Sequence, residues 1–145
     1  DVVINGNDYG TEVSVGRYDA LNGLVLKGNG KGNFKALSIL ESGIFIPGNG
    51  KALVKLNGPN DKYLLAASQN RGDLKVFSLK KNTKSIPVKY DDVSAIIKFK
   101  NGRIQKREIY YGASFLSQSG RFLSVDDQVS SIVVTNSKNE KRNIL

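Results

Sequence analysis

Glu108, Tyr110, Tyr111, Ser114, Ser117 and Gln118, with Ser119 just beyond, are the side chains whose types and spacing suit a polar binding site. A carboxylate can orient a ligand, tyrosine rings offer stacking faces, and hydroxyls and an amide can line a groove. Such a groove could take, for instance, a glycan. Each residue also has a structural use. Glu108 stands among Lys106 and Arg107, where an exposed cross-strand pair contributes a few tenths of a kcal/mol up to about 1. Serine and glutamine can equally bond the backbone of an irregular turn after Gly112. In both cases the structural use is the commoner one.

Reactive chemistry has few means here. The chain contains no histidine and no cysteine. The commonest general base and metal ligand is therefore missing, as are thiolate sites and disulfides. Ser-His-Asp, Cys-His and zinc chemistry are excluded for this chain alone. No catalytic residue is expected, and no cofactor. Asn5, Asn7, Asp8, Glu12 and Asp19 gather oxygens near a long loop, but calcium takes six to eight oxygens, normally several from carboxylates. No D-x-[DN]-x-[DN]-G run exists to supply them, and Asn5 to Asp8 reads more simply as a turn. Gly28 to Asn33 lacks the Lys-Ser/Thr ending of a phosphate loop and leads into a strand.

These residues must be positioned by strands. Ala95 to Lys100 and Arg103 to Tyr110 alternate in polarity around Asn101-Gly102, the strongest short-range hairpin signal, and a type I′ turn is expected there. Ile97 and Phe99 fall on one face; Ile96, Lys98 and Lys100 fall on the other. Further strands are expected near 1–5, 24–27, 34–39, 52–56, 63–68, 74–79, 86–90, 122–124, 130–135 and 141–145. Short strands with tight loops indicate an all-β, antiparallel chain. The segment 6–22 is too long for a hairpin turn, so it is either ordered by its own contacts or functional. Twelve of the 15 glycines precede Thr83, and the polar stretch 79–85 suits a connector. Two domains, 1–82 and 83–145, are expected.

The net charge of +9 is divided evenly between those halves, whereas a nucleic-acid binder concentrates its cations. No nucleic-acid partner is expected. No apolar run reaches the ~20 residues of a spanning helix. The chain opens inside a strand and has no methionine, so it reads as a fragment of a longer protein. Cut sheets would leave open edges, through which the fragment can pair with a second copy.

Two stretches carry a family resemblance. Asp1-Val2-Val3-Ile4, with Gly23 to Phe34 (GLVLKGNGKGNF), resembles the VCBS or FG-GAP repeat, whose blades close with G-D-G-x-G-x-F. Asn29 stands where that family usually has Asp. Arg107 to Ser119 (REIYYGASFLSQS) resembles the signature of the ASPIC/UnbV domain, with Gly112, Ser114, Phe115, Ser117 and Gln118 at the family's spacing. The family's next strand usually ends in Trp-Pro-x-Gly; here Thr135-Asn136-Ser137-Lys138 stands instead. The resemblance implies partial propeller-like blades followed by a small β-sandwich or barrel-like domain. It implies a non-catalytic binding or adhesion module of a secreted or cell-envelope protein, with a glycan or protein ligand. A structural end-piece of a larger envelope enzyme or transport assembly is the alternative. Calcium would belong to the parent's loop before Asp1, and not to this chain.

Overall fold

The structure is a computed structural model, and it describes residues 1–112 and 117–145. It is all-β with antiparallel sheets. The described residues form two compact units. One comprises Asp1–Val54, Leu65–Phe77 and Ser117; the other comprises Lys55–Leu64, 78–112 and Gln118–Leu145. Residue 83 thus lies inside the second unit, and β4 and β5 below contribute residues to both.

In the first unit, β1 (Val2–Ile4), β2 (Leu24–Gly28) and β3 (Phe34–Leu37) form a sheet in that order. Val25 turns inward onto the buried Ile44, Ile46 and Ala67, which Leu53, Leu65 and Phe77 also cover. β3 is shorter than the alternation predicts. Ser38 ends it by capping a single helical turn, α1 (Ile39–Ser42): its hydroxyl accepts from Glu41 N at 3.2 Å, and the Glu41 carboxylate accepts from Ser38 N at 2.8 Å. This capping box outweighs strand continuation. A second three-stranded sheet is built from β4 (Asn49–Asn57), β5 (Tyr63–Asn70) and β6 (Lys75–Ser78).

The long segment 6–22 is ordered by its own contacts. Asp8 and Tyr18 exchange both backbone hydrogen bonds, at 2.9 and 2.7 Å. Beneath them Asn7 is buried, at a positive φ of 111°. Its Oδ1 accepts from Ala20 N (2.7 Å) and Leu21 N (3.0 Å), and its Nδ2 donates to Gly48 O (3.2 Å). Asp8 accepts from Gly10 N and pairs with Lys51 at 3.2 Å, while Asp19 pairs with Arg17 at 2.8 Å. The side-chain oxygens of Asn7, Asp8 and Asp19 thus already have partners. Asn7→Ala removes the acceptor of two part-buried hydrogen bonds, from Ala20 N and Leu21 N, and is expected to cost about 1–3 kcal/mol, at about 0.5–1.5 for each. Urea denaturation measures that cost, and faster tryptic cleavage after Arg17 reports the loosened loop; an unchanged midpoint and cleavage rate would rule the latch out.

The second unit pairs β7 (Lys84–Pro87) with β10 (Phe122–Val125), and orders β8 (Asp92–Phe99), β9 (Ile104–Glu108), β11 (Val129–Asn136) and β12 (Lys141–Asn143) as β12-β11-β8-β9. Alternation makes the core. Ala95 and Ile97 of β8, with Ile132 and Val134 of β11, turn to one face and meet Ile86, Leu123 and Val125 from the other sheet. Ile96 and Lys98 take the opposite face, as alternation requires.

The β8–β9 hairpin closes differently from the expected type I′ turn. Only Gly102 has a positive φ, 83°, and Asn101 does not. Gly102 N donates to Phe99 O, Phe99 N donates to Arg103 O, and the Asn101 side chain accepts from Arg103 N. The loop is one residue longer, a turn followed by a left-handed glycine.

Candidate functional site

Each sequence-predicted residue among those described has its own surroundings. Glu108 is exposed at the end of β9 and pairs with Lys106 on the same face of its own strand, at 2.7 Å. The expected partner across the hairpin is replaced by one along it. That carboxylate holds the Lys106 ammonium above its ordinary range. Ser117 is buried, and its Oγ accepts from Leu53 N at 2.9 Å. Ser119 Oγ accepts from Lys55 N at 3.1 Å. A Ser-x-Ser spacing therefore matches the two-residue period of β4 and occupies backbone donors along that strand. Gln118, between them, is exposed. Ser114 lies outside the described residues. Tyr110 is exposed.

Tyr111 is the member that builds a site, with partners that sequence reasoning did not single out. The segment Lys89-Tyr90-Asp91-Asp92 makes a tight turn between β7 and β8, with Asp92 N donating to Lys89 O at 3.2 Å and Lys89 N to Asp92 Oδ2 at 2.7 Å. The strand expected over 86–90 therefore ends at Pro87. Three carbonyls of this turn converge, and the Nη2 of Arg121 donates to all of them: Lys89 O at 3.0 Å, Tyr90 O at 3.1 Å and Asp92 O at 2.8 Å. The same guanidinium lies 4.3 Å from the centre of the Tyr111 ring, a favourable cation–π distance.

Tyr111 closes the arrangement. Its hydroxyl donates to Tyr90 O at 2.6 Å, and the two rings stand 5.1 Å apart at 55°. Loss of water around the Tyr111 hydroxyl, then the phenol of Tyr90 beside it, push it above the ordinary tyrosine range; Arg121 pulls the other way. Behind the turn, the carboxylate of Asp92 is 2% exposed and receives Arg142 Nη2 at 2.7 Å. Tyr90 itself is 79% exposed. A large aromatic face is thus held out in water by a backbone pinned by Arg121, Tyr111 and the Asp92 carboxylate.

Polar groups flank it. Asp91 O accepts from Ser137 N at 2.9 Å, and Asn136 Nδ2 donates to Asp91 Oδ2 (3.3 Å) and Glu140 Oε2 (2.8 Å). The turn after β11 is thereby brought beside Tyr90. Such a shelf can stack on an apolar ligand face while carboxylates accept from hydroxyls at its rim. Among the described residues no three His, Cys, Asp or Glu side chains converge as a metal site, and no helix is long and apolar enough to cross a membrane. No family model, no curated protein and no solved structure matches the chain.

Proposed function

We propose that this chain is a non-catalytic binding module of a secreted or cell-envelope protein, and that it engages a glycan at the Tyr90–Tyr111 shelf. The observation that carries the reading is Tyr90. It leaves most of a large aromatic side chain in water, yet Arg121, Tyr111 and the Asp92 carboxylate immobilise its turn. An ordered ring loses little conformational entropy when a ligand stacks on it, which favours binding. Ring stacking does not rest on ion pairs, so affinity survives high salt. Titration of the chain with oligosaccharides in 0.5 M NaCl tests this, followed by nuclear magnetic resonance at the Tyr90 and Tyr111 ring signals. Tyr90→Ala is expected to weaken binding about tenfold or more, the usual consequence of truncating a central aromatic anchor. Binding that ignores Tyr90→Ala would place the ligand elsewhere.

A second reading, an end-piece of a larger assembly, is favoured by the β1-β2-β3 sheet. By register Val2, Ile4, Leu24, Leu26 and Phe34 share the face opposite Val25, and Val2, Ile4 and Phe34 are exposed there. A sheet apolar on both faces is the pattern of one covered on both. Phe34→Lys discriminates: retained glycan binding with no change in oligomeric state, by light scattering, supports the first reading.

A further inference from the structure

The net charge of +9 would point a glycan binder toward polyanionic chains. The groups around Tyr90 point the other way. Asp91 and Glu140 are both exposed, and neither has a cationic side chain within ion-pair distance among the described residues. One amide, Asn136 Nδ2, bridges them through Asp91 Oδ2 and Glu140 Oε2, so each keeps its second oxygen for another donor. Asn136 is itself fixed, because its Oδ1 accepts from Lys138 N at 3.0 Å and Glu140 N at 2.9 Å. The two free carboxylate oxygens are thus held in place on the Tyr90 turn and on its neighbour.

Cations are close by but are differently disposed. The Arg121 guanidinium lies against the Tyr111 ring and donates through Nη2 to three backbone carbonyls, while its Nε and Nη1 are buried from solvent without a hydrogen-bond partner among the described residues. Lys89 and Lys138 are exposed, with ammonium groups on long, mobile stems. The preorganised groups facing the ligand are therefore two anions that only accept hydrogen bonds.

We infer that the sugar taken at this shelf is neutral, with free hydroxyls donating to Asp91 and Glu140, and that uronic, sialic and sulfated residues are rejected. This rests on the glycan reading of the Tyr90–Tyr111 shelf. Neighbouring hydroxyls on a pyranose match a pair of linked acceptors, and the apolar face of the same ring stacks on Tyr90. An anionic sugar brings like charge against two fixed carboxylates, and such juxtaposition supplies specificity by repulsion.

The test uses the full 145-residue chain in 0.15 M NaCl, where exposed charges still repel across a contact, with four probes: cellopentaose, mannopentaose, a galacturonate pentamer and a heparin hexasaccharide. At least one neutral probe is expected to bind at least tenfold more tightly than both acidic ones. Asp91→Asn removes a charge while keeping the shape. It is expected to weaken the neutral probe about tenfold, the effect of losing a charge-assisted hydrogen bond, and to narrow the gap to the acidic probes. Acidic probes that bind as well as neutral ones, and still lose affinity on Tyr90→Ala, overturn the neutral preference and leave the shelf reading standing. If no probe shifts the Tyr90 or Tyr111 signals, the shelf reading fails and the inference falls with it.

Discussion

Ile132→Ala is expected to lower the unfolding free energy by about 3–5 kcal/mol, a large part of the roughly 5–15 kcal/mol that holds a domain folded. Ile132 is fully buried in β11. It lies opposite Ile97 of β8 in the antiparallel register, and both belong to the cluster that includes Leu123, Val125 and Ile86. Its backbone is committed on the other edge too, donating to Leu145 O at 3.0 Å and accepting from Ile144 N at 2.9 Å. The strand is thus bonded on both sides and cannot slide inward to fill the hole. Cavities that cannot collapse fall at the costly end of the range. Urea denaturation followed by far-ultraviolet circular dichroism measures the loss, and hydrogen exchange at Ile97 and Val134 locates it. Ser130→Ala, on an exposed position of the same strand, should change little. A loss below 1 kcal/mol would mean that this cluster is not the second unit's core.

Asp92→Ala carries the next largest effect, about 3 kcal/mol, toward the lower end for breaking a buried pair. The lower end applies because the Arg142 side chain is 38% exposed and is rehydrated when its partner goes. Two groups are still left unmet: the Arg142 guanidinium and the Lys89 amide, both bonded to Asp92 Oδ2 at 2.7 Å. The effect also reaches the proposed Tyr90–Tyr111 shelf. Without the carboxylate, the Lys89–Asp92 turn keeps its Arg121 bonds and its Asp92 N–Lys89 O bond but loses the bond from Lys89 N to the side chain. Weaker glycan binding is therefore expected even though Asp92 does not face the ligand. Asp92→Asn preserves an oxygen acceptor for Lys89 N, and should restore much of the binding while recovering only part of the stability. A double-mutant cycle with Arg142→Ala isolates the pair. Independent, additive losses in that cycle would show the two residues to be uncoupled.

The strands were legible because their cause is local. A pleated strand exposes alternate side chains to opposite faces, so Ile97 and Phe99 can be separated from Ile96 and Lys98 before any coordinates exist. All twelve expected strands have a counterpart in the structure, with ends displaced where a side chain intervenes. Ser38 cuts β3 short by capping α1, and Asp92 draws Lys89 and Tyr90 out of β7. The Asn101-Gly102 signal located its hairpin correctly but not its turn type, since both closures place a glycine at positive φ.

Of the residues in the proposed shelf, the sequence singled out only Tyr111. Its partners are remote in the chain: Arg121 reaches Asp92 O across 29 positions, and Arg142 reaches Asp92 Oδ2 across 50. No periodicity links residues so far apart. Ser117 and Ser119 had the spacing of a strand, but nothing in their own neighbourhood names Leu53 and Lys55 as the amides they bond.

Sequence alone determined that this polypeptide is built of antiparallel strands and that it lacks histidine and cysteine, because alternation and residue type are properties of neighbours and of composition. Only the tertiary structure decided which tyrosine is buttressed and which ring stands in water. That outcome depends on a β7–β8 turn whose carbonyls meet a single guanidinium from β10's approach, and such convergence exists only once the strands have paired.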